Sequence, residues 1–192
     1  MKNPLKWLFV TGLILSSIGL LRIAYYHTKA EVSQMMILSA WEESQASTTT
    51  KRENIKPWSW ADTWPVMQLE FPDLGESSIV LKDASGESLA FGPGLMTGDI
   101  LPGDIGNSFI AAHRDTHFSS IGRLKRNQTI HVTLHSGISY LFKIDKIKIV
   151  DSRSEQPWTN TNDKRITLVT CYPFDGSISN TPFRYLVSAV LI

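Results

Sequence analysis

The chain is poor in cysteine and in charge of one sign. Among its 192 residues there is one cysteine, Cys171. A single thiol excludes an internal disulfide, and it excludes a zinc site built from several thiolates. The 19 basic and 18 acidic residues leave a formal net charge of +1. Because no basic excess is available to neutralise phosphates, a nucleic acid is not an expected partner.

The near-neutral total hides an uneven distribution of charge. Residues 1–30 contain four basic residues and no acidic one, so they carry +4, whereas the remaining 162 residues carry −3. The hydrophobic fraction of 42% excludes a wholly disordered chain. The length accommodates one domain of about 100 to 150 residues and an accessory segment.

The accessory segment lies at the amino terminus and is strongly apolar. The apolar run, residues 7–26, contains a single charge, Arg22, and about 20 apolar residues span a bilayer. Lys2 and Lys6 precede this run and favour a cytoplasmic amino end. We therefore expect residues 1–26 to be an uncleaved signal-anchor helix. A cleaved signal peptide is the alternative, and both predict that the remaining chain is exported.

The segment after the apolar run has the composition of a stalk. Within residues 27–56, the apolar positions of 32–41 have helical spacing, and residues 42–56 are polar and rich in Ser and Thr. Half of the six tryptophans follow within seven residues: Trp58, Trp60 and Trp64. We expect them to cover a small core. A membrane-interface contact or the wall of a substrate groove is the alternative.

The remaining sequence predicts an all-β domain. Short apolar or alternating runs separated by Gly- and Pro-containing turns predict about eight strands, which suggests a closed barrel or a sandwich. These runs are residues 66–71, 78–82, 88–91, 108–112, 129–134, 138–150, 165–171 and 184–192. A change of phase within 138–150 indicates a bulge, and residues 118–124 form a short helix candidate.

Three residues of this domain are candidates for chemistry. Cys171 ends a strand and precedes a loop, a position that suits a reactive thiol as well as a buried, inert one. His113 supplies the imidazole expected beside a nucleophilic thiol. Arg184 opens the last strand, and its guanidinium would stabilise an oxyanion if the last two strands are neighbours. A metal site at His113 and His117 is disfavoured, because no glutamate lies between them.

Together these residues resemble the sortase family. The sequence TLVTC at residues 167–171 is similar to the sortase signature TLxTC, and HRD at 113–115 is similar to the segment around the catalytic histidine of sortases. Arg184 follows the cysteine by 13 residues, as the sortase arginine does. The resemblance covers roughly residues 57–192. One departure is Ala112, which replaces the glycine that usually precedes the histidine.

Two further segments resemble the class GN branch, the sortases of Gram-negative bacteria. They are FGPG at residues 91–94 and the tryptophan-rich stretch at residues 57–65. This likeness implies an inner-membrane protein, with residues 1–26 as the single span and the catalytic domain in the periplasm.

The resemblance implies an eight-stranded sortase β-barrel and a transpeptidase. Its partner would be a protein that ends in an LPXTG-like sorting signal, which is then joined to an amine acceptor. Cys171 would attack the carbonyl of the signal's threonine, His113 would protonate the leaving amine, and Arg184 would hold the oxyanion. Ala112 and Thr170 would contact the substrate.

Neither a cofactor nor a metal is expected. The acidic residues within the loop 151–164 lie where some sortases bind calcium, but solvated side chains explain them better. Two alternatives stay open. One is an exported β-domain that binds a partner and has an inert cysteine. The other is a different exported cysteine peptidase or an L,D-transpeptidase.

Overall fold

The structure of the protein is a computed structural model. The described residues are 4–46, 54–96, 100–154, 159–176, 178 and 180–192. Parts of the expected linker (residues 47–53) and of the loop 151–164 (residues 155–158) lie outside them.

The chain begins with one long helix, α1, from Pro4 to Ala46. Its first part contains an 18-residue window with a mean hydropathy of 1.8, none of it buried, so it is long and apolar enough to cross a membrane. The later part packs beside β1 and β2 of the barrel described below. The buried residues of this part recur three to four positions apart and so share one helix face: Ser33, Ile37, Ala40, Trp41 and Ser44.

Eight strands follow and close into a barrel, which confirms the predicted fold class. They are β1 (Pro65–Phe71), β2 (Glu76–Leu81), β3 (Gly94–Leu95), β4 (Gly106–Ala111), β5 (Thr129–Leu134), β6 (Ser139–Asp151), β7 (Lys164–Cys171) and β8 (Phe183–Leu191). Around the barrel they run in the order β1-β2-β3-β4-β7-β8-β6-β5. The pairs β2–β3 and β4–β7 are parallel, and the other neighbours are antiparallel.

Alternation along the strands fills the barrel interior. In β5, Ile130, Val132 and Leu134 are buried and His131 between them is exposed, as the sequence predicts. The register of β6 against β8 shifts between Ile144 and Lys146. This shift confirms the bulge predicted within residues 138–150 and turns the following side chains to the other face.

The prediction of a strand at residues 88–91 is wrong. A short helix, α2 (Gly86–Leu89), occupies this position, since the Ser85 hydroxyl accepts a hydrogen bond from the Ser88 amide and caps it. The Asp83 carboxylate accepts from the Ser85 amide and the Ser88 hydroxyl. These local bonds compete with strand pairing. The short strand β3 comes instead from one of the Gly- and Pro-containing segments predicted as turns. Of the helix candidate 118–124, only Ile121–Arg123 is helical, as a 3₁₀ turn.

Candidate active site

The pairing of β7 with β8 brings together two of the three predicted catalytic residues. Cys171 is the last residue of β7, and its partner in the antiparallel register is Arg184. Directly opposite residues of such a pair project from the same side of the sheet, with Cβ atoms about 5 Å apart. The condition set for Arg184, that the last two strands are neighbours, is therefore met.

The parallel pairing of β4 with β7 brings in the third residue. Ala111 lies opposite Val169, and the Ala112 amide donates to the Val169 carbonyl at 3.2 Å. His113 lies two residues beyond Ala111, just past the end of β4, and Cys171 lies two residues beyond Val169 in the parallel neighbour β7. His113 is exposed and Cys171 is half-buried. A thiol, an imidazole and a guanidinium thus share one edge of the sheet formed by β4, β7 and β8.

Ala112 and Thr170 are the residues predicted to contact substrate. They directly precede His113 and Cys171 in the chain. The Ala112 side chain belongs to the barrel core, and Thr170 is 2% exposed. The Thr170 hydroxyl donates a 2.7 Å hydrogen bond to the Ala112 carbonyl. This bond ties the strand that ends at Cys171 to the backbone that leads into His113, so both residues hold the geometry of the site.

The guanidinium of Arg184 is oriented by the loop before β8. Its Nη1 donates to the carbonyls of Thr181 at 2.7 Å and Phe183 at 3.0 Å. These bonds restrict the side chain of the residue that pairs with Cys171 before any substrate arrives.

Two aromatic rings of the loop after Cys171 pack against a third ring from β8. The rings of Tyr172 and Tyr185 are stacked with centroids 6.3 Å apart, and Phe174 meets Tyr185 edge-on at 5.0 Å. Burial, and to a lesser extent Tyr172, raises the pKa of Tyr185. Gly122 makes room for this cluster, because a Cβ there would lie 2.8 Å from the Phe174 ring.

Arg114 is a residue of the site that the sequence analysis did not single out. It is 8% exposed, and its Nη1 donates to the carbonyls of Pro173 at 2.7 Å and Ile178 at 3.3 Å. Its Nε donates to the Asp115 carboxylate at 3.0 Å. Arg114 therefore connects the segment of His113 to the loop that follows Cys171. The basic residue directly after the histidine was the available signal.

His117 lies close to His113 and is partly buried. Burial lowers the pKa of His117, and the nearby charge of His113 lowers it further. A shallow cavity beside His117 is also lined by Glu31 and Gln34 of α1. Across the described parts of the chain, no group of three or more His, Cys, Asp or Glu side chains is arranged to hold a metal ion.

An apolar strip leads away from Cys171 on the outer face of the barrel. It consists of four buried side chains, one from each of β4, β6, β7 and β8: Phe109, Val150, Val169 and Leu186. Further from the cysteine the surface opens into a polar cavity of about 340 Å³. Its lining includes Lys146, Lys148, Arg165 and Thr167. Val150 and Leu186 of the strip also line this cavity, which forms a groove beside β7 that suits an extended peptide.

Solved structures that share this barrel include sortases. The chain is similar to a Clostridium perfringens Sortase D5 transpeptidase, with a TM-score of 0.65 and 20% identity over 84% of this chain and 99% of that one. It is also similar to Listeria monocytogenes sortase A, with a TM-score of 0.60 and 25% identity over 67% and 87% of the two chains.

The sequence comparisons agree with the fold. The model of the Sortase domain matches residues 69–192, and Sortase D of Bacillus subtilis is 25% identical over 187 residues, which are 94% of this chain and 93% of that protein. The chain belongs to the sortase family. It is therefore a sortase-family transpeptidase, and sortases act on protein substrates that carry sorting signals.

Proposed function

We propose that this protein cleaves an LPXTG-like C-terminal sorting signal between threonine and glycine, and that it transfers the cleaved protein to an amine acceptor. The observation that carries the proposal is the strand register that puts Cys171, Arg184 and His113 at one edge of the sheet. The half-exposed state of the cysteine favours a nucleophile over an inert core thiol.

The reaction proceeds in two acyl transfers. The Cys171 thiolate attacks the threonine carbonyl carbon, and Arg184 stabilises the oxyanion that forms. The C–N bond to glycine then breaks, and His113 donates its proton to the leaving amine. An incoming amine attacks the resulting thioester, transfers its proton to His113 and releases the Cys171 thiolate.

The groove on the outer face would receive the signal. An extended peptide rises about 3.3 Å per residue, so a five-residue motif that ends at Cys171 covers the apolar strip beside it. The apolar residues of the motif would lie on Val150 and Leu186, which line the cavity. Residues that precede the motif would reach the polar cavity that contains Lys146 and Arg165.

The test uses the full chain in detergent, because the barrel alone would lose the packing of Ile37, Ala40 and Trp41 of α1. An LPXTG-like peptide and hydroxylamine are added, and mass spectrometry follows the hydroxamate formed at threonine. We expect Cys171→Ala to abolish this product. Since the reaction needs a thiolate and an imidazolium together, its rate should fall at both acid and alkaline pH.

Two results would contradict this function. Cleavage that survives Cys171→Ala would remove the thiol from the mechanism and favour a different peptidase. Absence of cleavage across a set of signal variants, with the wild-type protein folded, would favour a binding domain with an inert cysteine.

We propose that α1 anchors the protein in the inner membrane, with its amino end cytoplasmic and the barrel periplasmic. The support is the unburied apolar window of α1 and the lysines that precede it. Protease added to intact spheroplasts should digest the barrel but spare an amino-terminal tag. Digestion of the tag alone would reverse the orientation.

We also propose that the protein belongs to class GN. The segments FGPG at residues 91–94 and the tryptophan-rich 57–65 support this assignment, whereas the matched Sortase D and Sortase D5 favour a D-type enzyme. Replacing the segment 57–65 by the corresponding segment of Sortase D should lower membrane-dependent processing if the class GN assignment holds. Unchanged processing would favour the D-type assignment.

A further inference from the structure

An apolar groove of about 460 Å³ lies between α1 and the barrel, away from the candidate active site. One wall comes from α1 and contains Tyr25, Val32 and Met36. The opposite wall comes from the barrel domain and contains Trp58, Trp60 and Phe91. Trp58 meets Phe91 edge-on with ring centroids 4.9 Å apart, and Trp60 is 77% exposed. A tryptophan this exposed is unusual on a surface that faces only water.

The groove begins at the depth where the apolar part of α1 ends. The apolar run extends to residue 26, and Tyr25 is the groove residue nearest to it. With a rise of 1.5 Å per residue, Met36 lies about 16 Å further along the helix axis. If residues 5–26 span the hydrocarbon, the groove starts in the head-group layer, which is several ångströms thick on each side of a bilayer.

The chain path explains how the tryptophans reach this depth. After α1 ends, Ile55 and Pro57 line a cavity together with Val32 and Glu43 of the same helix. The segment before Trp58 therefore runs back along α1 toward the membrane-proximal end. This return brings Trp58 and Trp60 opposite Tyr25, so they do not lie at the far end of the barrel.

The charges that line the groove have both signs. Lys29 comes from α1 and Glu87 from the short helix α2. A zwitterionic head group has the complementary pair, a phosphate and an ammonium group. The apolar walls suit the upper part of an acyl chain, and tryptophan and tyrosine prefer this interfacial layer.

We propose that this groove binds a zwitterionic phospholipid of the membrane that α1 enters. The acyl chain lies between Val32 and Trp58, Trp60 covers it from the water side, and Lys29 faces the phosphate. The inference rests on the membrane anchoring proposed above. The tryptophan segment takes no part in the proposed transpeptidation. Its function would be to hold the barrel against the bilayer surface.

The test measures the depth of individual tryptophans in the full chain, reconstituted in phosphatidylethanolamine–phosphatidylcholine vesicles. The lipids carry bromine near the head-group end of their acyl chains, where it quenches tryptophan fluorescence on contact. The Trp60 signal is the difference between wild type and Trp60→Phe. Trp64→Phe is the matched control, because Trp64 lies in the same segment but packs against the barrel core. Trp7→Phe reports on the anchor.

We expect brominated lipid to remove most of the Trp60 signal and little of the Trp64 signal. A Trp60 signal quenched by aqueous acrylamide but not by lipid would show an open groove and overturn the inference. A signal quenched by neither would show that polypeptide, a second copy or a substrate segment, covers the groove, and would also overturn it. Quenching of Trp7 without Trp60 leaves the anchor standing, whereas an unquenched Trp7 signal contradicts the anchor and the inference together.

Discussion

At the scale of single residues, Arg114 connects the two halves of the active site. Its buried guanidinium donates to the carbonyls of Pro173 and Ile178, in the loop between Cys171 and Arg184, while its backbone follows His113. We expect Arg114→Met to lower kcat by up to about 100-fold, the cost typical of an ångström-scale misplacement of reacting groups. KM should change little. Steady-state kinetics with the peptide substrate would measure both constants.

Two further variants separate positioning by Arg114 from a general loss of stability. Arg123→Met removes an exposed arginine that pairs with Glu76 on the surface, and it should leave kcat unchanged. Arg114→Lys keeps the charge but lacks the planar guanidinium that donates to Asp115 and to the loop carbonyls, so its kcat should lie between those of wild type and Arg114→Met. A kcat for Arg114→Met within twofold of the Arg123→Met value would contradict the positioning role.

His117 makes the stability of the protein sensitive to acid. Burial and the charge of His113 lower its pKa below the ordinary value of 6.5, so the unfolded chain binds this proton more readily than the folded one. Stability therefore falls as the pH drops through 6.5, until the folded imidazole is also protonated. We expect the melting temperature to fall less steeply between pH 7 and pH 5 in His117→Gln, measured by thermal denaturation. An equal dependence of the melting temperature on pH in wild type and His117→Gln would contradict this role of His117.

At the scale of elements, the strands with one buried face could be predicted from the sequence. Alternation in β5 and the phase shift in β6 follow from burial alone, and both agree with the structure. Residues 88–91 could not be predicted in this way, because the hydrogen bonds of Asp83 and Ser85 outweigh a four-residue apolar pattern. Local polar bonds decide such short segments.

The candidate site was predictable only in part. Cys171 and His113 could be chosen by their chemistry, but their proximity depends on the parallel β4–β7 pair, which joins strands more than 50 residues apart. Arg114 was missed because its partners are backbone carbonyls of a distant loop. No local pattern indicates such partners.

The packing of α1 against the barrel depends on one face of the helix. Ile37 is 2% exposed on the helix face that contacts the barrel, whereas its neighbour Leu38 is 45% exposed. We expect Ile37→Ala to weaken docking by about 2 to 5 kcal/mol, the cost of removing such a side chain from a packed core. Leu38→Ala is the control. Hydrogen exchange of residues 33–44 should accelerate in Ile37→Ala only. Similar exchange rates in both variants would show that the docking of α1 does not depend on the Ile37 side chain.

At the scale of the whole molecule, one continuous helix connects the proposed membrane span to the catalytic barrel. The docked residues 33–44 follow the end of the apolar run by 7 to 18 positions, which is about 10 to 27 Å along the helix axis. With the proposed span in a bilayer, the barrel would be held next to the membrane surface. A substrate that is anchored in the same membrane by its own apolar span would then present its sorting signal near the barrel.

This geometry predicts that processing of a membrane-anchored substrate depends on the height of the barrel above the membrane. Seven polar helix-forming residues inserted between Ala24 and Tyr25 nearly preserve the helical phase and lift the barrel by about 10 Å. An extended substrate needs about three more residues to cover that distance. We expect processing of a membrane-held substrate to fall several-fold, while turnover of a soluble signal peptide stays unchanged. The same seven residues placed before Pro4 add length on the other side of the span and should change neither rate. Equal processing of the membrane-held substrate by both insertions, measured in the same vesicles, would show that the docked helix does not set the height of the active site.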